Sequence, residues 1–238
     1  MAQFPQSITL EGKYITLKPC SPDEDAEELF NTSHGTEHKL SIWQLLPIGP
    51  YADVETFRKF LTTWCTATDN KNRPEHVTFT VVDNKSKAKI GGLTFMAIVP
   101  EHARLEIGFV WYGKDYQNTF VNSECNFLLM SYAFEVLGYQ RVEWKCDSRN
   151  GRSKGAALKL GFTYEGTFRK HMIVKNNYNR DSDYLSMTDT DWSTKKQALQ
   201  QKLSYTDQDI QQHNQFFTHI KKQVNSSSQS KNARLSKL

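Results

Sequence analysis

The sequence predicts an α/β domain of the α+β kind, a mixed, mostly antiparallel sheet with helices on both faces. Three observations predict it. Strand-like and helix-like segments follow one another in the order β-α-α-β-β-β-α-β-α-β-β. The three central strand candidates are joined by the short polar linkers "NKSK" and "PEHA", as consecutive antiparallel strands are. Finally, the apolar run "RLEIGFVWY" (104–112) passes through the polar "KDYQNTFVNSEC" (114–125) into the helical stripe of "NFLLMSYAFEVLG". A strand, a polar turn and a helix N-terminus make the layout of an anion-binding loop.

Each element has its own signal. "KYITLKP" (13–19) alternates like a strand. Ser21 as N-cap, Pro22 at the first helical position and Glu24 closing an S-x-x-E box start a helix after it. "DVETFRKFLTTWCTA" predicts a second helix, with Val54, Phe57, Leu61 and Trp64 along one face. The intervening "SIWQLLPIGPY" is apolar and broken by two prolines, too irregular for a regular element. Strands are expected over 76–83, 88–99 and 104–112, a long helix from about 122 to 137, and a strand over 141–147. "NGRSKGAALKLG" reads as a helix ending on Gly161. "FTYEGTFRKHMIV" and "DYLSMTDTDW" are the last two strands, parted at the turn-like "KNNYNRD".

After Trp192 the composition shifts to Gln, Lys, Ser and Asn, which predicts a domain over 1–192 and a polar basic tail over 193–238. The tail carries eight Lys or Arg against two Asp, and the first 192 residues 22 basic against 24 acidic groups. The net charge of +4 therefore belongs to the tail, and nucleic-acid binding by the body gains no support. Within the tail, "TDQDIQQHNQFFTHIKKQV" predicts an amphipathic helix using Ile210, Phe217, Ile220 and Val224, with Thr206 and Asp209 as its capping box. "NSSSQSKNARLSKL" reads as a disordered end.

No stretch approaches the ~20 apolar residues of a membrane span. "MAQFPQSITLEGK" lacks the basic and apolar regions of a secretory signal. Cys20, Cys65, Cys125 and Cys146 are scattered, with no CxxC pair and no His at metal spacing. Reduced thiols and a cytoplasmic location, with the nucleus also open, are the simplest expectation, and no metal is expected.

In the loop itself, the first turn of a helix offers about four N–H groups without intrahelical acceptors, and the positive end of its dipole. Gln117, Asn118, Thr119, Asn122 and Ser123 add side-chain amides and hydroxyls. A diphosphate seated there satisfies several donors at once; an ordinary capped connection is the plainer alternative.

The stretch from "LEIGFVWYGKDYQNTFVNSEC" through "NGRSKGAALKLGFTYEGTFRKHM" to "NRDSDYLSMTDTDW" resembles the GNAT superfamily of acetyl-CoA-dependent N-acetyltransferases, and within it the RimJ/RimL-like branch. The likeness runs from about 104 to 192 and more loosely over 13–100. It implies the GNAT acyl-CoA N-acyltransferase fold with a splayed sheet, acetyl-CoA as co-substrate, and a pyrophosphate loop at Gln117, Asn118, Thr119, Phe120, Val121, Asn122 and Ser123. Phe120 stands where the family carries glycine or another small residue, and any positive φ required there would be strained. The pantetheine arm is implied to bond the backbone near Phe109, Val110 and Trp111, and the amide of Asn150.

By the same resemblance, Glu106 falls where relatives carry a general base, acting directly or through water. An ammonium group has no lone pair for a thioester carbonyl, so a base must remove its proton. The plainer reading of Glu106 is a strand carboxylate facing solvent or paired with Lys or Arg. The tyrosine that many relatives use at the departing thiolate is replaced by Ala157; the branch instead offers Ser153, in "NGRS", to the sulfur. Asn150 also suits the cap of the helix that follows. Glu165 matches a second carboxylate proposed as base in the branch. His171 is a further titratable candidate, more simply structural. Gly155 and Leu158 replace a usual Arg and Glu.

The implied function is transfer of acetyl from acetyl-CoA to a primary amine, a protein N-terminus or a small amine, by direct attack in a ternary complex. The acceptor walls are expected from 40–51, the second helix and the "HMIVKNNYNRD" hairpin. Two alternatives stay open: a degenerate GNAT domain serving as a non-catalytic interaction module, for which Phe120 and Ala157 speak, and a tail that docks on ribosomes or RNA. The charges of the tail are interspersed with Gln and Ser and have few aromatics among them, which favours a solvated tail.

Overall fold

A computed structural model describes residues 2–235, with side chains through Ser226. Eight strands form one sheet: β1 (Leu10–Glu11), β2 (Ile15–Pro19), β3 (Val77–Asp83), β4 (Lys89–Val99), β5 (Arg104–Tyr112), β6 (Arg141–Asp147), β7 (Thr163–Val174) and β8 (Tyr178–Thr188). Their spatial order is β1-β2-β3-β4-β5-β6-β8-β7. Every neighbouring pair is antiparallel except β5 with β6. The expected short linkers do join antiparallel strands, and β5 and β6 keep the expected bounds.

The helices are α1 (Pro22–Ser33), a short α2 (Glu37–Leu40), α3 (Val54–Thr66), α4 (Val121–Ser131), α5 (Gly151–Leu160), α6 (Asp189–Lys202) and α7 (Asp207–Leu235). The start of α1 differs in detail from the expected box. Ser21 is the N-cap and Pro22 follows, but the carboxylate that accepts from the Ser21 N–H is Asp25, at 2.9 Å. Asp25 is buried, where Thr80 donates to it and Lys89 pairs with it, so the core selects it over Glu24.

The last expected strand is displaced. β8 starts at Tyr178, because only Lys175–Asn177 makes the turn, and it stops at Thr188. Thr188 and Asp191 form a capping box that turns "DTDW" into the first turn of α6. The boundary expected at 192 thus falls inside a helix. Leu199, Leu203, Phe217, Ile220 and Val224 are buried in the same core as the sheet, and Ser131 bonds the buried His213 at 3.1 Å. The expected Thr206–Asp209 box opens α7. Residues 225–235, read from composition as a disordered end, continue that helix, and 236–238 lie outside the described residues.

α4 is the centre of the packing. Of its eleven residues all but Asn122 are buried, since the sheet covers one side and the C-terminal helices the other. It passes through a π-helical turn at Tyr132–Val136 and ends at Gly138, whose φ of 75° suits a residue without Cβ. A second cluster, Ala26, Leu29, Trp43, Phe57, Leu61 and Trp111, ties α1, α3 and the 40–51 segment to β5.

Candidate active site

The parallel pair β5–β6 is hydrogen-bonded only from Arg104–Glu106 to Arg141–Glu143. Beyond that point the strands part. A bulge on β5 helps: the register with β4 shifts between Gly92 and Thr94, and Phe109 takes φ 50°. The opening becomes a cleft of about 970 Å³ lined by Ile107 to Trp111 on one wall and Trp144 to Asp147 on the other. Backbone groups of Phe109, Val110 and Trp111 thus border the opening on the side where no strand pairs with them.

At the end of β5 the chain turns through 113–120 into α4. Gln117 Nε2 donates to the Tyr112 carbonyl at 3.1 Å, and Thr119 Oγ1 donates to Tyr116 and accepts from the Val121 N–H. Asn118 takes φ 60°, a conformation that asparagine tolerates. The N–H groups of Asn118, Thr119, Phe120, Asn122 and Ser123 find no acceptor among the described residues. They form a donor cradle at the positive end of α4, the arrangement that suits a diphosphate. Lys114, Arg152, Lys159 and Lys202 also line the cleft.

Phe120 occupies the expected glycine position without strain, since its φ is −66°. The residue is 43% exposed, and its ring centroid lies 4.4 Å from that of Tyr14, so the side chain packs at the rim of the cleft. The left-handed residue of this loop is Asn118 instead.

Glu106 is buried on β5 and lines the cleft. Burial pushes its carboxyl above the usual range, against the pull of Lys145, whose Nζ lies 2.9 Å away. The same ammonium reaches Glu143 at 3.1 Å. Gly108 leaves room here, for a Cβ on it would fall 2.5 Å from the Met96 sulfur and 3.1 Å from Glu106 Oε1.

Asn150 caps α5, its Oδ1 accepting from the Ser153 N–H at 3.0 Å, as the capping expectation has it. Ser153 Oγ accepts from Trp144 Nε1 at 3.0 Å and sits beside the Cys146 thiol. Both line the cleft. Burial raises the Cys146 thiol and so weakens it as a nucleophile.

Glu165 is not brought to the cleft. It stands exposed on β7, gripped by the two terminal guanidinium nitrogens of Arg141 and by Ser186 Oγ at 2.7 Å. These partners pull its carboxyl down to about 2, the wrong direction for a base near neutrality. His171 does line the cleft, but both ring nitrogens are engaged, Nδ1 with Ser182 Oγ at 3.0 Å and Nε2 with the Tyr184 hydroxyl at 3.1 Å. Burial lowers its pKa, and Arg180 and Lys145 add to the effect.

The cleft is also lined by Ser41, Ile42, Leu45, Leu46 and Pro47, by Trp64 of α3, and by His171 and Met172, which belong to the three segments expected as acceptor walls. Lys175 locks the β7–β8 hairpin to this segment by donating to the carbonyls of Trp43 and Gly49. Lys145, Tyr184 and Arg180 were not singled out from the sequence. The alternation in "RVEWKCD" would have shown Glu143 and Lys145 on one face and Trp144 and Cys146 on the other. Among the described residues, no group of three or more His, Cys, Asp or Glu could hold a metal ion, and no helix is long and apolar enough to cross a membrane.

The family model for the acetyltransferase (GNAT) domain matches residues 15–163, which include the loop, the splayed strands and α5. The chain belongs to the GNAT family. The GNAT chain is 30% identical over 125 residues to the "Uncharacterized N-acetyltransferase YnaD" of Bacillus subtilis (strain 168), covering 52% of this chain and 72% of that one. A crystal structure of a GCN5-related N-acetyltransferase from Brucella melitensis is 34% identical, with a TM-score of 0.77 over 84% of this chain and 86% of that one. The Microcin C7 self immunity acetyltransferase MccE, solved in complex with acetyl-CoA and AMP, is similar in fold alone: 22% identity and a TM-score of 0.63, over 74% of this chain and 93% of that one.

Proposed function

We propose that this GNAT enzyme transfers acetyl from acetyl-CoA to a primary amine, a small amine or a protein N-terminus, by direct attack within a ternary complex. The observation that carries the reading is the union, in one cleft, of a free N–H cradle at the α4 N-terminus and a buried carboxylate at the point where β5 and β6 part. The cradle suits the coenzyme's diphosphate, and the unpaired edge of β5 suits the amides of its pantetheine arm.

Glu106 takes the proton from the incoming ammonium, directly or through water, and its raised pKa makes it a competent acceptor. The freed lone pair attacks the thioester carbonyl, the C–N bond forms, the C–S bond breaks, and the second proton shed by the nitrogen ends on the sulfur of the departing CoA. Ser153, whose oxygen already accepts from Trp144, has its O–H to offer the departing sulfur. Lys145 holds Glu106 in place and keeps Glu143 as its partner when Glu106 is neutralised.

Calorimetric titration with acetyl-CoA tests the first half, and CoA release with a panel of amines the second. Binding in the micromolar range is expected, and its absence at millimolar coenzyme would leave a non-catalytic module. Glu106→Gln is expected to lower kcat by about 10² and at least tenfold, with the coenzyme Kd unchanged. Lys145 keeps Glu143 in that variant, so the fold is not expected to suffer.

A further inference from the structure

Arg180, on β8, is buried to 8% exposure and lines the cleft. Its guanidinium makes no hydrogen bond or ion pair with any described residue, and its Nε is sequestered without a partner. The carboxylates around it are otherwise engaged. Glu106 and Glu143 hold Lys145, and Asp147 holds Arg149 at 2.8 Å. Asp181 accepts from the Lys170 N–H at 2.7 Å. Arg180 senses Glu106 and Asp147 electrostatically, but neither is within ion-pair distance. A buried cation without a counter-ion is costly, and such costs are retained where a ligand relieves them.

Strand parity says on which side that ligand lies. Lys145 pairs in register with Tyr184, and Ser182 and Arg180 follow Tyr184 at two-residue steps, so all four share one face. His171 bonds Ser182 and Tyr184 on that face. Trp144 and Cys146 point the other way, towards Ser153 and α5, as does Asp183, which pairs with Lys154. The donor cradle and Ser153 thus belong to one side of the opened sheet, and Arg180, Lys145 and Glu106 to the other.

Taken with the acetyltransferase reading, on which it rests, this placement specifies the acceptor. We propose that the acceptor is a primary amine with a carboxylate close by, and that Arg180 binds this carboxylate while the amine faces Glu106. Guanidinium matches carboxylate in a two-pronged pair, and a site built around a buried charge rejects ligands that leave it unpaired. The carboxylate has two possible sources: the α-carboxylate of a free amino acid, or the side chain of an N-terminal Asp or Glu in a peptide.

The test compares matched acceptors on the full chain with acetyl-CoA: free amino acids against their α-amides, peptides beginning Asp or Glu against peptides beginning Asn or Gln, and polyamines. At least one carboxylate-bearing member is expected to exceed its neutral match by tenfold or more in kcat/KM, and the pair that shows it names the source. Arg180→Met is expected to shrink that ratio to within about twofold while the Kd for acetyl-CoA stays unchanged, and Arg180→Lys to restore part of it. The wild-type ratios need no variant, so misfolding of Arg180→Met leaves the result readable. A neutral match turned over as well or better in every pair, or polyamines turned over better than every carboxylate-bearing acceptor, overturns the proposal, and so does coenzyme binding with no turnover of any carboxylate-bearing acceptor. Failure to bind acetyl-CoA instead overturns the acetyltransferase reading beneath it.

Discussion

Phe120 shows how much a single position can carry. By resemblance a small residue belongs there, and a large one raised the prospect of strain and of a blocked phosphate site. Its φ of −66° removes the first concern, and its packing on Tyr14 turns the ring to the rim. The backbone N–H groups that would meet a diphosphate do not depend on the side chain at 120. Phe120→Gly is therefore expected to change acetyl-CoA affinity by less than about threefold. It should also lower stability by roughly 1 kcal/mol, because glycine loses the Tyr14 contact and frees the unfolded chain. Calorimetry and urea denaturation read the two effects separately. A tenfold gain in affinity would show instead that the ring obstructs the coenzyme. Glu165 teaches the complementary lesson. Its motif position is right for the family, yet Arg141 and Ser186 hold it as a low-pKa ion-pair partner away from the cleft.

Among the elements, those with strong local signals were legible. β5 is an apolar run and β6 an alternating one, each bounded by turns, and α7 starts at the Thr206–Asp209 box that its sequence suggests. What was not legible depended on distant partners. Asp25 displaced Glu24 at the start of α1 because β3 and β4 supply Thr80 and Lys89. The face of β6 that carries Lys145 gained its meaning only from β8. The polar C-terminal segment likewise reads as a tail by composition, yet its helices close the core. The clearest joint is Glu124 of α4, fully buried and accepting from the N–H groups of Lys13, Tyr14 and Ile15 and from the Tyr205 hydroxyl at 2.6 Å. One carboxylate thus ties the start of β2, the loop helix and the α6–α7 connection. Tyr205→Phe removes one of four donors from a buried carboxylate and is expected to cost about 1–3 kcal/mol in urea denaturation. A change below about 0.3 kcal/mol would mean that the C-terminal helices add little to the core.

At the scale of the whole molecule, docking of the C-terminal helices on α4 should make folding depend on pH. His213 of α7 is buried between Phe127 and Phe217, its ring centroid 4.5 Å and 4.6 Å from theirs, and its Nε2 bonds Ser131. Burial, with a smaller push from Lys196, lowers its pKa from 6.5 to about 3. The folded state therefore holds His213 neutral where the unfolded chain protonates it. The stabilisation this represents is complete above the unfolded pKa and is lost as pH falls from there through the folded value. Within that window the loss is about 1.4 kcal/mol per pH unit. Other groups titrate over the same range, Glu106 and Glu124 with raised pKa values among them, so the wild-type profile alone does not isolate this residue. Comparison with His213→Phe does, because phenylalanine keeps the ring contacts and has no proton to gain. Between about pH 6 and about pH 4 the wild-type Tm should fall some 5–10 °C farther than that of the variant, the equivalent of about 2.5 kcal/mol. Parallel curves for the two proteins would mean that α7 leaves the body before His213 is protonated, and that the C-terminal helix and the sheet do not unfold as one unit.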